Sequence, residues 1–123
     1  MMKPQDIVVL LKLVAMPCKW SFSALALDLG MSPSEVHAAV SRTVFAGLLN
    51  QETRLPNRKA LLEFLIHGVQ YVFPAERGGI TRGLPTAHAA PPLLKRMVAG
   101  GDPVPVWPDP DGDVRGEELR PLY

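Results

Sequence analysis

The sequence predicts a mainly α fold of the α+β class: a helical first part with a short strand pair, then an irregular, proline-rich C-terminal extension. Three observations carry this expectation. Apolar residues recur at helical spacing through the first half of the chain. Serine, asparagine, proline and glycine stand where such helices would start and stop. Nine of the 13 prolines fall at or after Pro74, so the second half cannot sustain long helices. The division expected is a folded domain over residues 1–76, followed over residues 77–123 by a loop, a short helix and an acidic tail.

Pro4 to Ala15 places Ile7, Val8, Leu11 and Val14 at helical spacing, and Val9, Leu10 and Leu13 widen the apolar arc, so this helix must be buried on more than one side. Pro4 suits an early helical position and Pro17 stops the helix. Ser21 then caps a short helix that Gly30 ends in a left-handed turn. Ser32 and Glu35 have capping-box spacing with Pro33 between them, and the helix they start, Pro33 to Leu48, carries Val36, Ala39, Val40, Thr43 and Val44 on one face. Gly47 allows the turn after it. Asn50 to Asn57 is polar and reads as a loop with at most a very short hairpin. Asn57 caps a further amphipathic helix to Gly68, and Tyr71-Val72-Phe73 reads as a short strand ended by Pro74. Arg77 to Ala90 reads as a long glycine-containing loop. Pro91-Pro92 opens a short helix through Val98, stopped by Gly100-Gly101, and an extended tail with polyproline character follows.

Composition bounds the function. The chain has 123 residues, 47% of them hydrophobic and 20% charged, which is globular composition. No apolar run approaches the length of a membrane span, and the N-terminal stretch lacks the features of a signal peptide. The lone Cys18 excludes an internal disulfide framework, and a reducing, cytoplasmic location is expected. Net charge is only +1, but it is unevenly spread. Val40 to Arg96 carries eight basic residues against three acids, and Met97 to Tyr123 two basic residues against six acids.

The pieces Leu25-Ala26, Leu29-Gly30-Met31-Ser32, Val36 and Val40 are in register for two helices joined by a tight turn. Ala26 is small where the second helix crosses, Met31 fills the space between the helices, and Val36 and Val40 anchor the second to the core. Residues from about Ser21 to Leu49, with the ending Ala46-Gly47-Leu48-Leu49, resemble the winged helix-turn-helix of bacterial transcription regulators of the MarR family. The resemblance implies a dimeric regulator with the Pro33–Leu48 helix in the major groove of duplex DNA and a wing on the backbone. The long dimerising C-terminal helix of that family has no counterpart here.

On this reading Ser32, Ser34, His37, Ser41 and Arg42 face DNA from the second helix, and Arg54, Arg58 and Lys59 flank them on phosphates. A homodimer is the expected assembly, with no cofactor and no metal. A second expectation is an adaptor or antitoxin-like partner of a cognate protein, gripping it with the 77–90 loop and the C-terminal tail. Arg77, Thr81 and Arg82, among Gly78, Gly79 and Gly83, form a small basic glycine box able to hold a phosphate or a partner. No glycine-lysine-serine follows, so this is not a P-loop. Enzymatic chemistry has little support. His37, His67 and His88 lack metal-ligand spacing, Gly30-Met31-Ser32-Pro33-Ser34 fails as a nucleophile elbow, and Asp109 to Asp113 departs from an EF-hand loop. Trp107, Val114, Leu119, Leu122 and Tyr123 are too many large apolar groups for a free tail, and docking on some surface is expected.

Overall fold

The computed structural model describes residues 1–16, 19–96 and 103–123. Pro17, Cys18 and the segment 97–102 lie outside the described residues, and with them the helix stop expected at Pro17, the thiol of Cys18 and the helix end expected between Val98 and Gly101. The chain is a mixed α and β protein of two compact units, Met1–Phe73 and Pro74–Leu122. None of the described helices is long and apolar enough to cross a membrane.

The first unit holds five helices: α1 (Pro4–Ala15), α2 (Phe22–Leu29), α3 (Pro33–Phe45), α4 (Arg58–His67) and α5 (Val69–Val72). Local chemistry sets most of their ends. The Ser21 hydroxyl accepts from the Ala24 amide and the Asn57 side chain from the Ala60 amide, starting α2 and α4. Gly30 closes α2 at φ 66°, and Gly47 turns the chain after α3 at φ 79°. The core joins Val9, Leu10 and Leu13 of α1 to Leu25 and Ala26 of α2, Val36 and Ala39 of α3, and Met31, Leu48, Leu49 and Leu61. Leu48 and Leu49 follow α3 instead of extending it. Both of their amides donate to the Thr43 carbonyl, at 3.0 and 3.2 Å, which turns the two side chains into the core.

The short strand expected at Tyr71–Phe73 is α5 instead. Among the described residues no strand pairs with its β-branched and aromatic residues, and the backbone resumes the helix after a break at Gly68. The Gly68 amide still donates to the Phe64 carbonyl (2.8 Å), and Phe73 to Val69 (2.8 Å). The strand pair of this unit reduces to one antiparallel bridge between Leu49 and Pro56.

The second unit corrects the sequence reading most. Arg77–Pro85, expected as a loop, is strand β1, and the expected extended tail holds strands β2 (Pro105–Pro108) and β3 (Val114–Leu119). β1 runs antiparallel to both others, while β2 and β3 pair in parallel, so the three strands close on themselves. Two 3-10 turns, Ala87–Ala89 and Leu93–Lys95, follow β1. The second stands where a longer helix was expected. Glycine makes the closure feasible. A Cβ on Gly83 would meet the Trp107 carbonyl, one on Gly116 the Val104 carbonyl, and one on Gly112 the backbone of Gly83. Val106 is fully buried at the centre. Asp109 to Asp113, between β2 and β3, is a turn in which the Asp109 side chain accepts from the Asp111 amide at 2.9 Å.

Candidate nucleic-acid interface

α3 presents a rigid outward face because its start and its inner side are both fixed. The Ser32 hydroxyl accepts from the Glu35 amide (3.2 Å) and the Glu35 carboxylate accepts from the Ser32 amide (3.1 Å), so the box forms in both directions. Pro33 presets the first helical residue. Val36, Ala39 and Thr43 are buried, and the Thr43 hydroxyl donates to the Val40 carbonyl. The buried Met31 fills the turn between α2 and α3, and its amide donates to the Ala26 carbonyl.

One expected DNA ligand is turned away from this face. Arg42 donates from Nε to Asp6 Oδ2 at 2.9 Å and from a terminal nitrogen to Asp6 Oδ1 at 2.8 Å. Asp6 is fully buried on α1 and also accepts from the Lys3 amide at 2.8 Å. A buried carboxylate without a cation would be strongly unfavourable, so Arg42 is a clamp between α1 and α3, with two of its guanidinium nitrogens committed to Asp6. The hydrogen bonds to Asp6 are the main cause that raises the Arg42 pKa above its ordinary value; burial opposes them and the charge of Asp6 adds to them.

What remains outward on α3 is Ser34, Glu35, His37, Ala38, Ser41 and Phe45, all exposed, with Phe45 at 93% exposure. Glu35 is held back by its bond to Ser32. The line Ser34, Ala38, Ser41 and Phe45 therefore carries no charge. Along its edge runs a stack that the sequence reading missed. His37 lies flat on Phe22, with ring centroids 3.6 Å apart and planes 15° apart. Phe22 meets Trp20 edge to face at 5.2 Å. The Arg54 guanidinium lies over the Trp20 ring, 4.1 Å from its centroid, and the Trp20 indole donates to the Arg54 carbonyl at 3.0 Å. The visible signal was Trp20-Ser21-Phe22, two aromatics straddling a helix cap.

Arg54 is carried by a miniature hairpin. The Asn50 amide donates to Leu55 and the Asn57 amide to Leu48, while the Asn50 side chain accepts from the amides of Glu52 and Thr53. Arg54 itself takes φ 59°, a left-handed conformation unusual for a residue with a side chain. Between this hairpin and α3 lies an open groove of about 450 Å³, lined among others by Trp20, Phe22, Ser41, Phe45, Gln51 and Arg54.

The remaining expected residues are placed unevenly. Ser34 is exposed, its hydroxyl 3.1 Å from that of Ser32. Lys59 is exposed at the start of α4. Arg58, also exposed, donates to the Val14 carbonyl at 3.4 Å. Arg77, Thr81 and Arg82 belong to the other unit, and the glycine box expected around them is a strand and not a loop. They lie on β1, where Thr81 stands opposite Gly116 and Arg82 opposite Arg115, and Arg77 is 3.9 Å from Glu117. From Ile80 to Gly83 the backbone is paired in this ladder, and Gly78 and Gly79 lie at a register shift between Arg77 and Ile80. No group of three or more metal-ligating side chains converges among the described residues.

No family model, curated protein or solved structure matches this chain.

Proposed function

We propose that the first unit is a winged helix-turn-helix module similar to those of MarR-type regulators, and that it binds duplex DNA through α3 to regulate transcription. One observation carries this reading: the outward line of a firmly capped helix is small and uncharged at Ser34, Ala38 and Ser41, and the cation of Arg54 borders it across the groove that Ser41 and Phe45 line. Small side chains let a helix approach base edges closely. Cations at its rim hold the phosphates that set its orientation. Ser34, His37 and Ser41 supply hydrogen bonds to bases, and Phe45 an apolar surface for a thymine methyl. Arg54 reaches a phosphate from the hairpin, which here does the work of a wing.

Fluorescence anisotropy with duplexes drawn from the DNA upstream of the protein's own gene tests the reading. Binding should weaken steeply with salt, and Arg54→Ala should flatten the logarithmic salt dependence by about one phosphate contact. Ser41→Glu, which puts a carboxylate in the groove without touching the core, should abolish binding. Undiminished binding by Ser41→Glu, or none by the wild type at low salt, overturns it.

A second reading, a protein-partner role for the second unit, is favoured by a different observation. Leu84 and Trp107 stand directly opposite each other on β1 and β2, both about half exposed, and Ile80 on β1 is exposed as well. Such a patch suits an adaptor or antitoxin-like contact with a cognate protein. Loss of co-purification on Trp107→Ala, with DNA binding retained, would assign that role to this unit.

A further inference from the structure

The hairpin that carries Arg54 has few contacts of its own to hold it in place. One bridge, between Leu49 and Pro56, joins its strands, and residues 50–55 are all exposed, so the tip has no anchor in the core. The Asn50 side chain shapes the turn but ties it to no other element. Arg54 stands at this tip with its backbone in the left-handed region, at φ 59°. The tip is tied from outside, at two points of that residue. The Trp20 indole donates to the Arg54 carbonyl at 3.0 Å, and the Arg54 guanidinium lies 4.1 Å from the Trp20 ring centroid and 5.2 Å from that of Phe22. Phe22 meets Trp20 edge to face and carries His37 of α3 on its ring.

We propose that Trp20 is a positioning residue for Arg54. It sets the arginine at a fixed place relative to α3, so that the phosphate contact and the base-reading line are in register before DNA arrives. The inference rests on the reading of α3 as a DNA-binding helix. The series His37, Phe22, Trp20, Arg54 runs from α3 to the hairpin through ring faces and edges, and each ring is a rigid body. A free arginine side chain loses much rotamer freedom when it grips a phosphate. Here stacking removes that freedom during folding. Stacking also leaves the useful part of the group open. A guanidinium laid on a ring is covered on a face, while its N–H donors point outward in its own plane, where phosphate oxygens meet them. None of the ion pairs among the described residues involves Arg54, whereas Arg42 spends its fork on Asp6. The indole N–H of Trp20 is used on Arg54 itself, so Trp20 acts through that residue. Trp20 and Phe22 are half-buried against the helical core, which gives the brace a fixed base.

Nuclear magnetic resonance of the arginine side chains, on the full chain without DNA, is the first arm of the test. The Arg54 side-chain protons should lie well upfield of the ordinary arginine position, shifted by the Trp20 ring, and should move back toward it in Trp20→Leu. Anisotropy with the duplex is the second arm. Trp20→Leu should weaken binding about tenfold and flatten the logarithmic salt dependence by about one phosphate contact, as Arg54→Ala does. Trp20→Phe, which keeps a ring under the guanidinium, should restore most of the salt slope. Trp20→Leu can also loosen the core around α2, and a double variant separates the two roles. With Arg54→Ala already in place, Trp20→Leu should cost no further affinity, because its effect passes through Arg54. An equal loss in that background overturns the proposal. So does an unshifted Arg54 in the wild type, and so does a Trp20→Leu variant with the full salt slope. A wild type that binds no duplex overturns the DNA reading instead, and the proton shifts then decide whether Trp20 holds Arg54.

Discussion

The two units of this protein are built on opposite principles. Met1–Phe73 buries a continuous set of large aliphatic side chains that recur at helical spacing along α1 to α4. Pro74–Leu122 buries, among its described residues, little beyond Val106, Ala89 and the glycines Gly83, Gly112 and Gly116. The first is held by side chains filling space between helices. The second is held by backbones brought so close that side chains must be absent. A helical core announces itself in local periodicity; a small closed sheet depends on which distant residues face each other, and its glycines and prolines look like loop.

The largest expected effect lies in the helical unit and tests its internal clamp. Arg42→Met should destabilise that unit by about 3–5 kcal/mol, since it leaves the fully buried Asp6 carboxylate without its cation. Thermal unfolding followed by helical ellipticity is the measurement. Asp6→Ala combined with Arg42→Met should recover much of the loss, because an apolar pair fits the site without an orphaned charge. If the double variant is as unstable as the single one, packing and not charge compensation governs that junction.

The next effect belongs to the strand unit. Gly116→Val forces a side chain against the Val104 carbonyl and should cost about 3 kcal/mol or more. Hydrogen exchange should show protection lost across β1 to β3 while α1 to α4 stay protected. Loss of protection in both units together would break the comparison, since it would mean that they unfold as one. Ser32→Ala, removing half of the capping box of α3, should cost about 1 kcal/mol, measured by denaturant titration. The smallest effect is that of Lys12→Ala. Its ammonium lies 3.7 Å from Asp28 with both side chains well solvated, so a loss of about 0.3 kcal/mol is expected. A loss as large as that of Ser32→Ala would mean that exposed pairing does more in the helical unit than its geometry suggests.

The candidate site was legible in the sequence only where its chemistry is local. Gly30, Ser32, Pro33 and Glu35 define the start of α3 through contacts a few residues apart, and Asn57 does the same for α4. The outward exposure of Ser34, His37 and Ser41 follows from which helix positions are apolar. The bond of Arg42 to Asp6 was not legible because its position on the helix permits either direction, and Asp6 lies 36 positions away on α1. The stack of Arg54, Trp20, Phe22 and His37 was invisible for the same reason, being assembled from the approach to α2, from α3 and from the hairpin.

By itself, then, the order of residues determined where four helices begin, which sides of them are apolar, and where the chain changes character near Pro74. Tertiary structure alone decided that Tyr71 and Val72 continue a helix, that Arg77 to Pro85 is a strand, and that the apparent tail returns as β2 and β3. It also decided that the best-placed cation of α3 points inward. The physical reason is common to all of these. Caps and helical periodicity are satisfied within a turn or two of the chain, whereas strand pairing and the neutralisation of a buried charge require partners that only folding brings together.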